Sequence, residues 1–261
     1  MLAMLISSCS PDSYSLDAPT DKSDIHFEIT QDRNADAGGN TVILKNTTPG
    51  VVLNWDYGTG KSNKATEVVK YAFKGTYTIK ISAVTNGGLV ELDPVDITVT
   101  DDNLTYVNDP LWTALSGGVG KQKSWILDTG KFGLAMGAMS YADPSGTVEF
   151  DNFKPNWEPE KMPPGSTDAD MHWGRYMTFS LEGGPFMTVH EADGTKIENG
   201  TYFLDATAHT LTTTNATILR ADNFIASASN WNNGIKILKL TENQLQIGIM
   251  RTNSEGPWWL I

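Results

Sequence analysis

The stretch YAFKGTYTIKISAVTNGG, residues 71–88, decides how the first part of this chain folds. From Tyr77 onward its side chains alternate. Tyr77, Ile79, Ile81 and Ala83 point one way, and Thr78, Lys80 and Ser82 the other. Successive side chains on a strand leave opposite faces, so this period of two marks a half-buried β-strand. The stretch closes on Asn86, Gly87 and Gly88, a turn signal. Working outward, IHFEIT, TVILKN, VVLNWDYG and VVKYAF precede it as further strand-like runs, and VDITVT follows. TPG, GTGKSN and KGT punctuate them as turns. Short strands at such spacing predict a β-sandwich of about 75 residues.

Two motifs within it carry a resemblance. WDYGTG, from Trp55 to Gly60, resembles the WDFGDG signature of PKD domains, and residues 71–88 resemble that family's GTYT-containing hairpin. Both occur in the family's order and spacing, over residues 25–100, although the second aspartate of the signature is Thr59 here. The resemblance implies an Ig-like sandwich that serves as a spacer or display arm and rarely does chemistry. Trp55 is expected to be a buried packing residue, with Gly58 and Gly60 supplying the turn.

Composition bounds the rest. The chain has 261 residues, 24 glycines, 12 prolines and one cysteine, and long runs of Leu, Ala, Glu and Lys are absent, which favours short strands joined by turns over helices. Acidic side chains outnumber basic ones, 31 to 19, for a formal net charge of -12. Without a basic stripe, nucleic acid is excluded as a partner and polyanions are disfavoured, whereas neutral ligands remain open.

The opening MLAMLISSCS contains the only cysteine, Cys9. Leu5-Ile6-Ser7-Ser8-Cys9 resembles a bacterial lipobox, which implies cleavage before Cys9 and lipid on its thiol and amino group. The plainer alternative is a core cysteine on a strand. The basic start of a signal peptide is missing and the apolar run is short, so a mis-assigned or a trimmed start is expected. No other segment stays apolar for the roughly 18 residues a membrane helix needs, so acyl chains would be the only anchor. The organisation expected is a signal remnant and flexible tether over residues 1–24, a PKD-like spacer over 25–102, and a second domain over 103–261, with DDNLTYVNDP (101–110) as a polar linker.

In the second domain, SWILD, GTVEFDNF, YMTFSLE, FMTVHEADGTKIENGTYFLD, HTLTTTNATILRA, IKILKLT and LQIGIM are strand-like, and ADGTK and IENGT read as hairpin turns. The domain is therefore all-β. A jelly-roll-like sandwich is the first expectation. A lipocalin-like barrel is its rival, because the run from Gly200 to Met250 suits a strand meander. The chain stops at PWWLI, still strand-like, so further native residues are expected after it.

No catalytic pattern stands out in the sequence. ELDPVD (Glu91, Asp93, Asp96) imitates the acids of jelly-roll glucanases, but it lies in the PKD-like domain and Pro94 interrupts it. No G-x-S-x-G occurs, and His26, His172, His190 and His209 are scattered. GVGKQKS (118–124) lacks the pattern of a phosphate loop and reads as a hairpin turn. Asp168, Asp170 and His172 alternate, which would put them on one face if extended. Acids in such a loop are usually solvated, so no metal, no cofactor and no catalytic residue is expected.

Aromatic residues are the positive signal. Seven of the eight tryptophans lie in the second domain: Trp112, Trp125, Trp157, Trp173, Trp231, Trp258 and Trp259. A flat indole meets the apolar C–H face of a sugar ring, and nearby polar groups bond its hydroxyls. Trp157, Trp173 and Trp231 sit in polar surroundings, with Glu158, Asp170, Arg175 and Asn232 at hand. These seven residues are the expected glycan-binding set, against the alternative that the indoles only clamp loops to the sheet.

A lipobox, an acidic tether, a PKD-like spacer and a Trp-rich all-β module together resemble the surface glycan-binding lipoproteins of Bacteroidetes, with KSWILD, NFKPNW and EGPWWLI similar to their C-terminal module. That resemblance implies non-catalytic capture of a polysaccharide, a β-glucan in the first instance, at the outer membrane. The implied partners are the polysaccharide or oligosaccharide, an outer-membrane importer complex and a glycan-binding lipoprotein of the same starch-utilisation-type system. The competing readings are a jelly-roll glycoside hydrolase, a structural or adhesive surface lipoprotein, and a lipocalin-like carrier of an apolar ligand.

Overall fold

A computed structural model of the chain describes residues 17–18, 20–126, 141–142, 147–153, 174–190, 197–219, 231–250 and 259–260. The fold is all-β. The first unit contains β1 (Phe27–Gln31), β2 (Thr41–Asn46), β3 (Val52–Asp56), β4 (Lys61–Ser62), β5 (Thr66–Lys70), β6 (Gly75–Thr85), β7 (Gly88–Glu91) and β8 (Val95–Val99). They form two antiparallel sheets, β1-β2-β5 and β4-β3-β6-β7, with β8 also on β6. Alternation predicts their inner faces correctly. Val42, Leu44 and Val69 of one sheet pack with Leu53, Trp55, Ile79, Ile81 and Ala83 of the other. Trp55 is fully buried, and its Nε1 donates to the Lys64 carbonyl at 3.2 Å. That bond satisfies the one polar atom of the indole. Tyr71 stacks on Tyr77 at 3.8 Å and donates its hydroxyl to the Tyr57 carbonyl at 2.9 Å.

The polar segment expected as a linker is instead a folded joint. Residues Leu104–Val107 form a 3-10 turn whose N-cap, Asn103, reaches back to Asp36 of the first unit. The Asp36 carboxylate accepts from Thr41, Tyr106 and Asn103, and the Lys70 ammonium lies 4.9 Å from the Tyr106 ring centre. Ala72 and Phe73 of the first unit join the second unit's core. The WDYGTG turn also reaches across, because the Gly58 carbonyl accepts from Thr214 Oγ1 at 3.2 Å. Gly58 has φ +80, a left-handed conformation that favours glycine.

The second unit begins with α1 (Pro110–Ser116), a helix the strand-rich composition did not announce. Its ends are nonetheless written in the sequence: Asp109 caps the Leu111 amide, Pro110 opens the first turn, and Gly117 closes the helix at φ 87. Trp112 and Leu115 carry its buried face. Strands follow as β9 (Gln122–Ile126), β10 (Tyr141–Ala142), β11 (Val148–Glu149), β12 (Asn152–Phe153), β13 (Tyr176–Ser180), β14 (Phe186–His190), β15 (Ile197–Asp205), β16 (Thr210–Thr214), β17 (Ile235–Leu240), β18 (Leu245–Met250) and β19 (Trp259–Leu260). The nine-stranded sheet runs β10-β19-β18-β17-β16-β15-β14-β13-β9. From β13 to β19 each strand pairs with the next in sequence, the meander named for the rival barrel rather than the crossed order of a jelly roll. The β11–β12 hairpin packs through Val148 and Phe153 on Leu238.

One expected turn is absent. Asn199 and Gly200 do not end a hairpin, since β15 passes straight through them. The glycine answers a different need: a Cβ at Gly200 would lie 2.0 Å from the Thr214 carbonyl oxygen and 2.8 Å from the Ala216 amide nitrogen. The backbone after β16 crosses there too closely for any side chain.

Candidate functional site

Strand direction brings Trp125, Tyr176, His190 and Trp231 to one end of the second unit's sheet. β9 finishes there at Ile126, β13 starts at Tyr176, β14 finishes at His190 and β15 starts at Ile197, all in one register row. β16 stops short of this end, with Thr214 opposite Thr201, and the segment after it continues toward the end, where the Thr217 amide donates to Glu198 and the Ile218 amide to the carbonyl of Trp231, which lies before β17.

On the solvent side of this end, the rings of Tyr176 and His190 stack at 4.3 Å, with planes 12° apart. Both rings are half-buried, and they are flanked across the sheet by Ile126, 72% exposed, and Ile197, 52% exposed. On the core side of the same end, Trp125, Met177 and Trp231 are buried together in one cluster. Trp125 Nε1 donates to the Leu115 carbonyl at 2.8 Å, which ties the indole to α1. The Lys123 ammonium lies 4.4 Å from the Trp125 ring centre and donates to the carbonyls of Ala114 and Glu242. Burial lowers the pKa of Lys123 below the ordinary lysine value, against an opposing pull from Glu242.

The expected glycan-binding set divides. Trp231 is 8% exposed and belongs to the hydrophobic core, with its carbonyl accepting from the Ile218 amide at 3.2 Å, so its indole supports the end of the sheet and presents no open wall. Arg175 is 5% exposed and is likewise not a surface edge group. Its place just ahead of β13, between an exposed Gly174 and the buried row of Met177 and Phe179, turns it inward. Asn232 is exposed and its carbonyl accepts from the Thr213 amide at 2.8 Å, which leaves its side chain toward solvent. Trp157, Glu158, Asp170 and Trp173 lie outside the described residues, as do Cys9, Asp168 and His172. The Tyr176–His190 stack was missed in the sequence. Its signal was present as alternation in YMTFS and FMTVH, which puts Tyr176 and His190 on the outward side, but only register brings the rings together.

Among the described residues, no group of three or more His, Cys, Asp or Glu is placed to hold a metal ion. Glu198, the carboxylate on the core side of the same end, accepts from the Thr217 amide and hydroxyl at 2.9 and 3.0 Å and so fixes the segment after β16. The first unit has a shallow groove of about 540 Å³ lined by Asn54, Asp56, Lys61, Lys80, Ser82 and Glu91. Its acids and amines neutralise one another, with Lys61 3.1 Å from Asp56.

No protein-family model matches the chain, and no curated protein does. Among the solved structures similar to this chain are the following two. One is the PKD1 domain of Vibrio anguillarum Epp, 21% identical, aligned over 33% of this chain and 99% of that one with a TM-score of 0.26. The other comes from a description of the promiscuous specificity of carbohydrate-binding modules of the β-sandwich superfamily, 16% identical over 95% of this chain and 97% of that one, with a TM-score of 0.24. At TM-scores of this size neither likeness carries an argument, and the reading of the fold rests on the strand pairing itself.

Proposed function

We propose that this chain is a non-catalytic carbohydrate-binding protein. In this reading it is held at the cell surface by lipid on Cys9 and captures a polysaccharide, a β-glucan in the first instance, for degradation and import. The observation that carries the binding role is the aromatic end of the second sheet. A half-buried Tyr176–His190 stack faces outward there, on a base made rigid by Trp125 and Trp231. Rings on a stiff scaffold lose little side-chain entropy on binding, and they offer the C–H faces of a sugar an apolar partner. Trp157 and Trp173 supply further ring faces, with Glu158, Asp170 and Asn232 as hydrogen-bonding partners for hydroxyls. Trp231 and Arg175 act from beneath. The outer-membrane location, the importer complex and the companion glycan-binding lipoprotein rest on the lipobox and the order of parts in the sequence. Held in one place with such partners, a weak binder raises the local concentration of glycan chain for them.

Intrinsic tryptophan fluorescence of the full chain, titrated with neutral β-glucan oligosaccharides, tests the reading. A saturable quench or blue shift in the wild type, lost in Trp173→Ala, is expected, with no new reducing ends released. A spectrum unmoved by every glycan, or steady release of reducing ends, would overturn it.

A further inference from the structure

The solvent side of β9, β13, β14 and the first half of β15 carries no formal charge. Register sets three outward rows of four residues there. The first holds the Tyr176–His190 stack between its two isoleucines. The second is Ser124, Thr178, Thr188 and Asn199, in which Ser124 and Thr178 share a hydrogen bond of 2.8 Å and Thr188 donates to Asn199 at 3.2 Å. The third is Gln122, Ser180, Phe186 and Thr201. None of the three rows contains Asp, Glu, Lys or Arg. The alternate positions, Trp125, Met177, Phe179, Met187 and Val189, are buried, so these rows are the outer face of the sheet.

A solvated sheet face in a chain of this charge ordinarily carries acids and amines, and the first unit does so: Lys45 pairs with Glu28 at 3.4 Å and Lys64 with Glu67 at 3.2 Å. Charged side chains keep a face wet and single. Their absence over a patch about 14 Å in each direction, from strand spacing and rise, leaves hydroxyls, amides, the exposed Phe186 ring and the half-buried Tyr176–His190 stack. An anionic polymer or an anionic lipid surface finds no cation there. A neutral polyhydroxylated chain finds both partners it needs, hydroxyl and amide groups for its hydroxyls and rings with isoleucines for its C–H faces. We infer that this uncharged outer face, and not only the loops at its end, is a binding surface for a neutral polysaccharide lying flat across β9, β13, β14 and β15. The inference rests on the carbohydrate-binding reading above and narrows it to a place and an uncharged class of glycan.

Calorimetric titration of the full chain with a soluble neutral β-glucan and with its carboxymethylated derivative tests it. Thr188→Glu and, on the edge strand, Ser124→Glu put a carboxylate on the face without touching the core, and thermal melting confirms that each folds. Wild type should bind the neutral glycan in preference to the carboxymethylated one, and each variant that melts like wild type should weaken binding by about tenfold or more, the effect of roughly 1.4 kcal/mol. Wild-type binding unchanged in both variants would overturn the face as the site while leaving carbohydrate binding standing. Preference for the carboxymethylated derivative would overturn the neutral class. A concentration-dependent dimer abolished by Ser124→Glu, with glycan binding unaltered, would assign the face to a second copy of the chain. No binding by wild type to any glycan would overturn both readings.

Discussion

Tyr106 donates its hydroxyl to the carboxylate of Asp36, a residue 70 positions earlier in the chain, and so closes the joint between the two units. Thr41 and Asn103 donate to the same carboxylate. The Thr41 and Tyr106 hydroxyls, 2.9 Å apart, can still bond one another, so removing the acceptor would leave two donors short of a partner in a place where Asp36 itself is 8% exposed. Each unsatisfied buried group costs on the order of 1–3 kcal/mol. Asp36→Ala is therefore expected to lower the stability of the full chain by about 3 kcal/mol, and Tyr106→Phe by about 1 kcal/mol, in urea denaturation. An Asp36→Ala midpoint equal to that of wild type would show that the joint is incidental.

The same carboxylate makes the joint sensitive to acid. Burial alone would raise its pKa. The hydrogen bonds from Thr41, Tyr106 and Asn103 and the charge of Lys70 together outweigh that and hold it below the ordinary value of 3.8. A folded pKa below the unfolded one gives stability that is fully present above the unfolded value and is lost as pH falls through the folded value. Denaturation midpoints measured from about pH 6 down to about pH 2 should fall more steeply below about pH 4 in wild type than in Asp36→Asn. Parallel curves would contradict this.

Gly200 is expected to tolerate nothing larger. A Cβ there meets backbone, not the movable end of a side chain. Gly200→Ala should cost about 3 kcal/mol, the upper part of the usual overpacking range, and depress the thermal midpoint of the full chain. A midpoint within a degree or so of wild type would mean that the close crossing after β16 is not as drawn.

Trp231 and Tyr176 should part company when truncated. Trp231→Ala opens a cavity in the core and is expected to cost about 3–5 kcal/mol, so any loss of glycan binding in it follows from loss of structure. Tyr176 is half-buried on the outer face, and Tyr176→Ala should cost about 1 kcal/mol or less while weakening glycan binding. Equal loss of stability in the two variants, seen by thermal melting, would contradict the placement of the indole and the phenol.

How much of this the sequence announces depends on how local each determinant is. Alternation along Tyr77–Ala83 places the inner face of β6 and, with the turn around Gly58, the buried Trp55, because both rest on neighbours a few residues away. The failures are non-local. Asn199-Gly200 has the composition of a hairpin turn, but the glycine is demanded by backbone that passes from Thr214 to Ala216. Trp231 is flanked by asparagines and reads as surface, yet its contacts come from the core and from Ile218. The segment from Asn103 to Tyr106 is polar because its partner is the Asp36 carboxylate, not because it is a solvated linker. For the candidate site, the sequence gives the enrichment of aromatics in the second unit, and register alone brings Tyr176 onto His190.

Glycan binding by the full chain is decided by affinity electrophoresis in native gels cast with each of a panel of neutral polysaccharides and in a gel with none. Retardation by at least one neutral glycan, β-glucan first among them, is the predicted result. Identical mobility in every gel would mean that the chain does not bind neutral glycans.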